Sequence, residues 1–424
     1  MNRILIKKAR IYDQNSNQYL KIRDILIENG KIVDIKARIQ PSGKFETIES
    51  KQLCISPGWV DIGAFNGEPG KEQREDLKSL RNAAAHGGYV AIAPFPTGQP
   101  TTDSKGQIAY LKSKNHESAV QIYPIGALTM DRNGRDMAEL IDLSAAGAIA
   151  FSDGQGSKMG EGQIQRSLLY LKGIDSNLIY VVNAKKPGEE GQVNEGEVSV
   201  SMGVEGIPAH QEKVAVNTVL RQVEYTGSRA LIHNISLGWA ADKIAKNALN
   251  HKVAASVPYL NLAHNEEDVK DFNNNFKLLP PLRQESERKK LCKAVEKGRV
   301  DIITSNHSPK TVEEKDEPFG LSPFGASSIE TTFSGLVTHT KDLSLERIVN
   351  ALSIGPRKAL GLEKGSIKIG EMASITLFDP EMSWQVSERN LLSKSKNNPY
   401  IGKELKGCVI GILNNSKLIK TKNL

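Results

Sequence analysis

Short apolar runs alternate with amphipathic segments along the middle of the chain. Eight runs have the length and apolar character of buried strands, at residues 59–62, 89–94, 119–124, 148–151, 178–182, 230–235, 253–257 and 300–303. Charge-rich segments of helical length lie between them, for example residues 73–85, 211–225, 240–250 and 285–297. Buried parallel strands that alternate with helices are typical of α/β proteins. Eight such units predict a (β/α)8 TIM barrel.

Both ends of the chain are rich in short alternating runs typical of exposed sheets. Asn29-Gly30 stands between two of these runs, which is a strong hairpin signal. We predict that residues 1–55 and 365–424 combine into a small β-sandwich domain. Residues 56–364 would then form the barrel.

Two predicted strand-to-helix connections are long. They span residues 184–208 after the fifth strand and residues 306–327 after the eighth. Long connections in compact domains are usually functional or disordered. In a barrel, both would lie on the face where the site is built.

Composition narrows the class of protein further. The chain has 424 residues, 39% of them hydrophobic and 25% charged, which suits a folded domain with a large core. No apolar run reaches the length of a membrane span, and no apolar segment precedes a small-residue cleavage site, so we predict a cytoplasmic protein. The net charge of +7 is spread without an arginine-rich arm, so we predict no nucleic-acid binding.

Histidine and cysteine are sparse and widely spaced. The three cysteines form no CxxC pair, which argues against a disulfide framework or a cysteine zinc site. No two of the eight histidines are separated by one, three or four residues. The chain therefore lacks the HxH and HExxH patterns of histidine metal sites.

Several stretches together resemble dihydroorotase, a cyclic amidohydrolase of the amidohydrolase superfamily. The resemblance rests on SPGWVDI, FSDG, GIP, PPLR, HSPKTVEEK, PFGASSIET and NPYIGKELKG, which occur in this order over nearly the whole chain. It implies a barrel with a small β domain built from both termini. This agrees with the fold expected from the apolar pattern alone.

The resemblance also implies a zinc site. This sequence lacks most of the residues that would form it. Dihydroorotases bind zinc through imidazoles and carboxylates, and the metal activates a water for attack on an amide. The corresponding metal-site and catalytic positions here are Gly63, Phe65, Asp153, Asn183, Asn234 and Asn306. Asp153 alone keeps a metal-binding carboxylate, and Asn306 replaces the catalytic aspartate. We therefore predict no catalytic residue, no metal and no cofactor.

The positions implied to contact substrate have changed as well. They are Gly67, Thr97, Leu279 and Lys310, where the family has arginine, asparagine, asparagine and histidine. We expect four pocket residues to be retained, namely Asp153, His307, Phe324 and Gly325. His233 stands one residue before the family's sixth-strand histidine position. One step along a strand reverses the side chain, so we predict that His233 points away from the site.

Three functions fit this pattern. The leading hypothesis is a non-catalytic dihydroorotase-like protein of pyrimidine biosynthesis that serves as a scaffold for aspartate carbamoyltransferase. Family resemblance also suggests a homodimer. In this hypothesis Phe65 and the three asparagines fill the old metal site, and Lys310 either pairs with Asp153 or neutralises an anion. The alternatives are an active zinc-dependent dihydroorotase with an unusual site, which interconverts N-carbamoyl-L-aspartate and dihydroorotate, and a small-molecule binding protein.

Overall fold

The computed structural model describes residues 3–155, 157–175, 177–183, 191–247 and 252–421. Its strands are β1 (Arg3–Ile11), β2 (Ile22–Glu28), β3 (Lys31–Lys36), β4 (Glu46–Ile48), β5 (Cys54–Pro57), β6 (Trp59–Ile62), β7 (Tyr89–Ala93), β8 (Gln121–Ile122), β9 (Ile125–Gly126), β10 (Ala150–Phe151), β11 (Ile179–Asn183), β12 (Val193–Asn194), β13 (Gly206–Ile207), β14 (Arg229–His233), β15 (Val253–Pro258), β16 (Ile302–Thr304), β17 (Ile375–Gln385), β18 (Glu404–Asn414) and β19 (Lys417–Lys420). Its α-helices are α1 (Leu77–His86), α2 (Lys105–Ser113), α3 (Leu140–Ala146), α4 (Glu161–Ile174), α5 (Glu197–Met202), α6 (Ala209–Thr226), α7 (Gly238–Ala245), α8 (Tyr259–Ala263), α9 (Glu285–Glu296), α10 (Val312–Lys315), α11 (Thr332–His339) and α12 (Leu345–Leu360).

The middle of the chain forms an arc of parallel strands with helices between them. One part of the arc has the order β6-β7-β8 and the other β9-β10-β11-β14-β15-β16. β8 and β9 are two halves of one extended stretch, interrupted at Tyr123-Pro124, and each half pairs with a different neighbour. Strand order therefore follows chain order, as predicted for repeated β/α units. The strand predicted at 119–124 instead begins at Gln121 and continues, after the interruption, to Gly126.

The two ends of the arc meet through polar contacts. Phe65 N donates to His307 O at 2.9 Å, and Ser305 N and Oγ donate to the two carboxylate oxygens of Asp61 at 2.8 and 2.6 Å. Burial raises the pKa of Asp61 to about 6. No strand ladder joins β16 to β6 within the described part of the chain.

Strands from both termini form one hydrogen-bonded sheet. Its order is β19-β18-β17-β5-β1-β2-β3, with β4 also paired to β1. The hairpin predicted at Asn29-Gly30 is confirmed, because β2 and β3 pair antiparallel and both turn residues have positive φ, as a type I′ turn requires. The sheet pairs continuously from one edge to the other, and the proposed boundaries at residues 55 and 365 stay a prediction.

Aromatic packing connects the sheet to the strand arc. Trp59 of β6 is fully buried and packs against Phe333 and Phe378, with ring centroids 5.1 and 5.5 Å apart. Its indole nitrogen donates to Ser56 Oγ at 2.9 Å. This contact fixes the start of the arc against the terminal sheet. No helix in the described ranges is both long and apolar enough to cross a membrane.

The structure describes part of the first long connection and all of the second. Residues 184–190 lie outside the described ranges, as does His251. The rest of the first connection contains β12, α5 and β13, with β12 and β13 paired in parallel. The second connection contains the short helix α10, which Thr311 caps through Glu314 N.

Candidate functional site

A cavity of about 290 Å³ lies at the carboxyl ends of β10, β11 and β14. Four of the sequence-predicted positions line this cavity, namely Asp153, Asn183, Asn234 and Leu279. The other predicted positions lie outside its lining: Gly63, Phe65, Gly67, Thr97, Asn306, His307, Lys310, Phe324 and Gly325. The structure therefore divides the implied metal and substrate positions into two groups. One group lines the cavity, and the other lies outside the cavity lining.

The Asp153 carboxylate accepts three hydrogen bonds from the segment after β9. One oxygen accepts from Leu128 N and Thr129 N at 2.9 and 3.0 Å, and the other accepts from Thr129 Oγ1 at 2.6 Å. The residue is 1% exposed. Burial raises the pKa of Asp153, and these donors and the nearby Arg132 oppose that rise. Asp153 therefore anchors the segment after β9.

His233 occupies the space next to Gly63. A Cβ atom on Gly63 would lie 2.6 Å from His233 Nε2 and 2.7 Å from Phe95 Cε2. The imidazole is fully buried, packs edge-on against Phe95 with centroids 5.1 Å apart, and bonds Ser256 Oγ through Nδ1 at 3.1 Å. Burial lowers its pKa to about 3, so the ring is neutral at physiological pH.

The prediction that His233 points away from the site is wrong. His233 lines the cavity. The alternation argument fails because strand geometry ends at His233, and Asn234 adopts a left-handed backbone with φ of 58°. The two side chains therefore do not point to opposite faces of a regular strand.

Two of the three asparagines bond to each other. Asn234 Nδ2 donates to Asn306 Oδ1 at 2.9 Å, and Asn234 Oδ1 accepts from Thr304 Oγ1 at 2.6 Å. Asn306 Nδ2 in turn donates to Leu279 O at 3.1 Å. This chain ties β14 to β16 with uncharged groups. Asn183 does not take part, and its Nδ2 is buried without a hydrogen-bond partner in the described structure.

Phe65 packs under a buried lysine. Lys310 Nζ lies 5.6 Å from the centre of the Phe65 ring and donates to Ser308 Oγ at 3.0 Å. Burial, together with the neighbouring Arg74, lowers the pKa of Lys310 to about 8. The suggested ion pair with Asp153 is not formed, because Asp153 is held by Leu128 and Thr129 instead.

His307 is present as expected, and its hydrogen bonds join segments that are distant in sequence. We call the hydrogen-bonded group of His307, Glu75 and Ser393 the clasp. Its Nδ1 accepts from Ser328 N at 3.1 Å, which places the ring proton on Nε2, and Nε2 donates to Glu75 Oε2 at 3.2 Å. Glu75 also accepts from Ser393 Oγ and from Lys394 N. Burial raises the pKa of Glu75, but the hydrogen bonds from His307 and Ser393 and the electrostatic attraction of His307 together outweigh burial and hold the pKa below its usual range. Both imidazole nitrogens are thus occupied.

Two of the positions that the resemblance implies for substrate contact, Gly67 and Thr97, lie in local backbone structure. A Cβ on Gly67 would lie 2.4 Å from Lys71 O and 2.5 Å from Glu75 O, so no side chain fits there without a backbone shift. Thr97 Oγ1 donates to Asn66 O at 3.1 Å. An arginine side chain at position 67 would therefore require a different loop.

The remaining retained candidates lie in the connection after β16. Lys277 Nζ lies 5.2 Å from the centre of the Phe324 ring and donates to Phe319 O. Gly325 has φ of +132°, and a Cβ there would lie 2.3 Å from Ser308 O. Both residues shape this connection and lie apart from the cavity.

Sequence reasoning missed an ionic network in the cavity wall. Glu212 accepts from Ser236 N and Leu237 N at 3.0 Å, and Arg283 donates to Asn194 Oδ1 and Ile207 O at 2.7 and 2.8 Å. Both side chains are almost fully buried, with 3.9 Å between their charged groups. The PPLR motif pointed to Arg283, but nothing in the sequence indicated Glu212, which only the fold brings into contact.

The donor set at the implied metal positions does not suit zinc. Glycine and phenylalanine supply no lone pair, asparagine is a poor zinc ligand, and the oxygens of Asp153 accept hydrogen bonds. The described residues contain no group of three or more His, Cys, Asp or Glu side chains arranged to hold a metal ion. Among the histidines that the structure describes, His233 is the single one that lines the cavity.

Comparisons with known proteins place this arrangement in context. Residues 52–237 match the dihydro-orotase-like family and residues 213–419 match the amidohydrolase family. The dihydroorotase of Pelotomaculum thermopropionicum is 32% identical over 410 residues, which cover 96% of this chain and 95% of the relative. That of Caldicellulosiruptor saccharolyticus is 33% identical over 425 residues, 98% of each chain.

Solved structures share the fold at lower identity. The L-hydantoinase (dihydropyrimidinase) of Arthrobacter aurescens superposes with a TM-score of 0.84 at 20% identity, covering 100% of this chain and 97% of the other. The dihydropyrimidinase of Brevibacillus agri gives 0.82 at 19% identity, covering 99% and 95%. At such identities the likeness concerns the fold alone.

Proposed function

The chain belongs to the dihydroorotase-like family of amidohydrolases, and from this premise we propose that it is a non-catalytic member acting in pyrimidine metabolism. The observation that carries this proposal is the packing of His233 against Gly63. The imidazole lies where a side chain on residue 63 would have to extend. A metal-ligating side chain at position 63 would therefore clash with His233 in its present place.

The rest of the site supports the same proposal. The amide of Asn306, at the position of the catalytic aspartate, is bonded to Asn234 and Leu279 and cannot accept a proton as a carboxylate does. Asp153 is committed to Thr129 and Leu128. Among the described residues at the family's metal and catalytic positions, none therefore offers a free carboxylate or imidazole for general-base catalysis or for metal activation of water.

We also take the strand arc to be a closed (β/α)8 barrel. The bonds from Phe65 N to His307 O and from Ser305 to Asp61 support closure, since they join the first and last strands of the arc. In the same way we take the terminal sheet to fold as a sandwich. Its long strands β17 and β18 change register between Asp379 and Ser383, which allows the sheet to bend.

A scaffold role needs the surface of this fold but not its chemistry. We propose that the chain, as a homodimer, assembles with aspartate carbamoyltransferase and stabilises that enzyme. The buried clasp of Glu75, His307 and Ser393 favours a structural role, because it joins distant segments of the fold beside the positions implied to be catalytic.

Two measurements on one preparation test the proposed lack of activity and the proposed scaffold role. The purified full chain is assayed for dihydroorotate hydrolysis with added zinc, and is then mixed with aspartate carbamoyltransferase from the same organism on a sizing column. We expect no rate above the uncatalysed reaction and co-elution of the two proteins. Zinc-dependent turnover would show an active dihydroorotase, and separate elution would reject the scaffold role.

A further inference from the structure

A cleft of about 500 Å³ lies at the β3 edge of the terminal sheet. Its lining comes from three segments, namely Asn15, Asn17 and Gln18 of the first, Ile35 of β3, and residues 367–369. None of these residues lines the cavity at the ends of β10, β11 and β14. The cleft is therefore separate from the positions that the resemblance implies for metal and substrate.

Hydrogen bonds hold the segments of the cleft together. Ile367 N donates to Asp13 Oδ2 at 2.8 Å, and Ser16 Oγ donates to Ile367 O at 3.2 Å. The other oxygen of Asp13 accepts from Asn15 N at 2.9 Å. Both Asp13 and Ile367 are 1% exposed. The cleft is thus preformed, so a chain that binds in it would not first have to order it.

The outer edge of β3 is covered along its first half only. Gly370 N donates to Ile32 O at 2.8 Å, and Ile32 N donates to Glu371 O at 2.9 Å. β3 ends the strand order of the terminal sheet, and beyond Ile32 no described segment pairs with its outer edge. Residues 33–36 therefore present backbone N–H and C=O groups beside the cleft, where a further strand could pair with them.

The surface around the cleft combines apolar groups with positive charge. Three segments border it, residues 15–23, 31–36 and 367–372, and they carry five of the fifteen large apolar side chains that are exposed in the described structure: Leu20, Ile22, Val33, Ile369 and Met372. Clustered apolar groups at a protein surface mark contact sites. The same segments carry two carboxylates, Asp34 and Glu371, and five cationic residues: Lys21, Arg23, Lys31, Lys36 and Lys368. The surface therefore complements a partner with apolar groups and an excess of negative charge.

We propose that this cleft binds an extended acidic segment of a partner protein, which adds to the outer edge of β3 as a strand. Apolar side chains on one face of that strand would pack on Ile35 and Ile369, and carboxylates on its other face would meet the lysines. A second copy of this chain fits less well, because pairing of two β3 edges would set Lys31 and Lys36 against lysines of the other copy. The inference deepens the proposed scaffold role and rests on it for the existence of a partner.

Fluorescence anisotropy with three labelled peptides tests this inference on the full chain. The probe is a peptide of alternating valine and glutamate of about eight residues, a usual strand length. One control has lysine in place of each glutamate, and the other carries a methyl group on every backbone nitrogen. We expect the probe to bind at least about tenfold more tightly than either control, since the first loses charge complementarity and the second cannot pair as a strand. Failure of the probe to bind, or equal binding of either control, would overturn the inference.

Substitutions then locate the site. Ile369→Asp should weaken binding of the probe about tenfold or more without lowering the unfolding temperature, because Ile369 is 60% exposed and the new carboxylate would repel the glutamates. Val200→Asp is the matched control, since Val200 is also exposed and its substitution adds the same charge outside the cleft lining. An equal loss in both variants would show that the cleft is not the site.

Two further measurements separate this inference from the alternatives. Binding of the chain to phosphatidylglycerol vesicles without binding of the probe would assign the surface to a membrane and overturn the inference. Co-elution with aspartate carbamoyltransferase that Ile369→Asp leaves unchanged, together with failure of the probe to bind, would overturn the cleft and leave the scaffold role standing. Binding of the probe with separate elution of the two proteins would reject that scaffold role and support the cleft.

Discussion

Gly63→Ala is expected to lower the free energy of unfolding by about 3 kcal/mol or more. Residue 63 has φ of +85°, a backbone conformation that alanine adopts only with strain. The new methyl group would also lie 2.6 Å from His233 Nε2 and 2.7 Å from the Phe95 ring, well inside van der Waals contact. Urea unfolding followed by tryptophan fluorescence measures the change.

Gly154→Ala provides the matched control for Gly63→Ala. Gly154 also has a positive φ, +65°, but its nearest neighbour, Phe95 Cγ, would lie 3.6 Å from the added methyl group. We expect Gly154→Ala to show the cost of backbone strain alone, about 1 kcal/mol. Adding His233→Ala to Gly63→Ala should recover part of the loss, since it removes the clash with the imidazole and leaves only that with Phe95. Equal effects of the two glycine substitutions would contradict the packing of His233 against residue 63.

His233 is also expected to make stability depend on pH. Burial holds its folded-state pKa at about 3, against an ordinary value of 6.5. Below pH 6.5 the unfolded chain takes up a proton that the folded chain does not, so this stabilisation is present above pH 6.5 and lost as pH falls toward 3. Between pH 7 and pH 5 the loss is about 2 kcal/mol.

Other buried acids titrate in the same range with the opposite sign. Burial raises the pKa of Asp61 to about 6 and that of Glu330 to about 7, so each gains stabilisation as pH falls. The His233 contribution is therefore measured as the difference between wild type and His233→Gln. We expect the wild type to be the more stable at pH 7 and its advantage to shrink by about 2 kcal/mol at pH 5. An advantage independent of pH would mean that the imidazole titrates in the folded protein as it does in the unfolded chain, and would contradict its burial in a neutral form.

Much of the fold could be predicted from the sequence. The apolar runs of the arc coincide with strands because each run is buried on both faces, and the helix predicted at 211–225 is found as α6 (Ala209–Thr226). The turn at Asn29-Gly30 was predictable for a local reason, since both residues tolerate positive φ. These features depend on neighbours in sequence and on burial pattern.

The site was less predictable because it depends on contacts between distant segments. His233 was placed on the wrong side, since the left-handed backbone of Asn234 ends the strand at His233, two residues earlier than the apolar run suggests. Gln211 and Glu212 look like ordinary residues in the first turn of a helix. Only the fold brings Glu212 to Ser236 and Arg283 and places Gln211 at the cavity.

The zinc content of the purified protein is the most direct test of the proposal that the zinc site has been lost. The full chain, purified without chelators, is dialysed against buffer with excess zinc and then against zinc-free buffer, and the metal is measured by elemental analysis. We expect less than about one zinc per ten chains, because the positions that would ligate zinc hold glycine, phenylalanine and asparagine, and the oxygens of Asp153 already accept hydrogen bonds. One or two zinc ions per chain, lost on Asp153→Ala or His233→Ala, would contradict it.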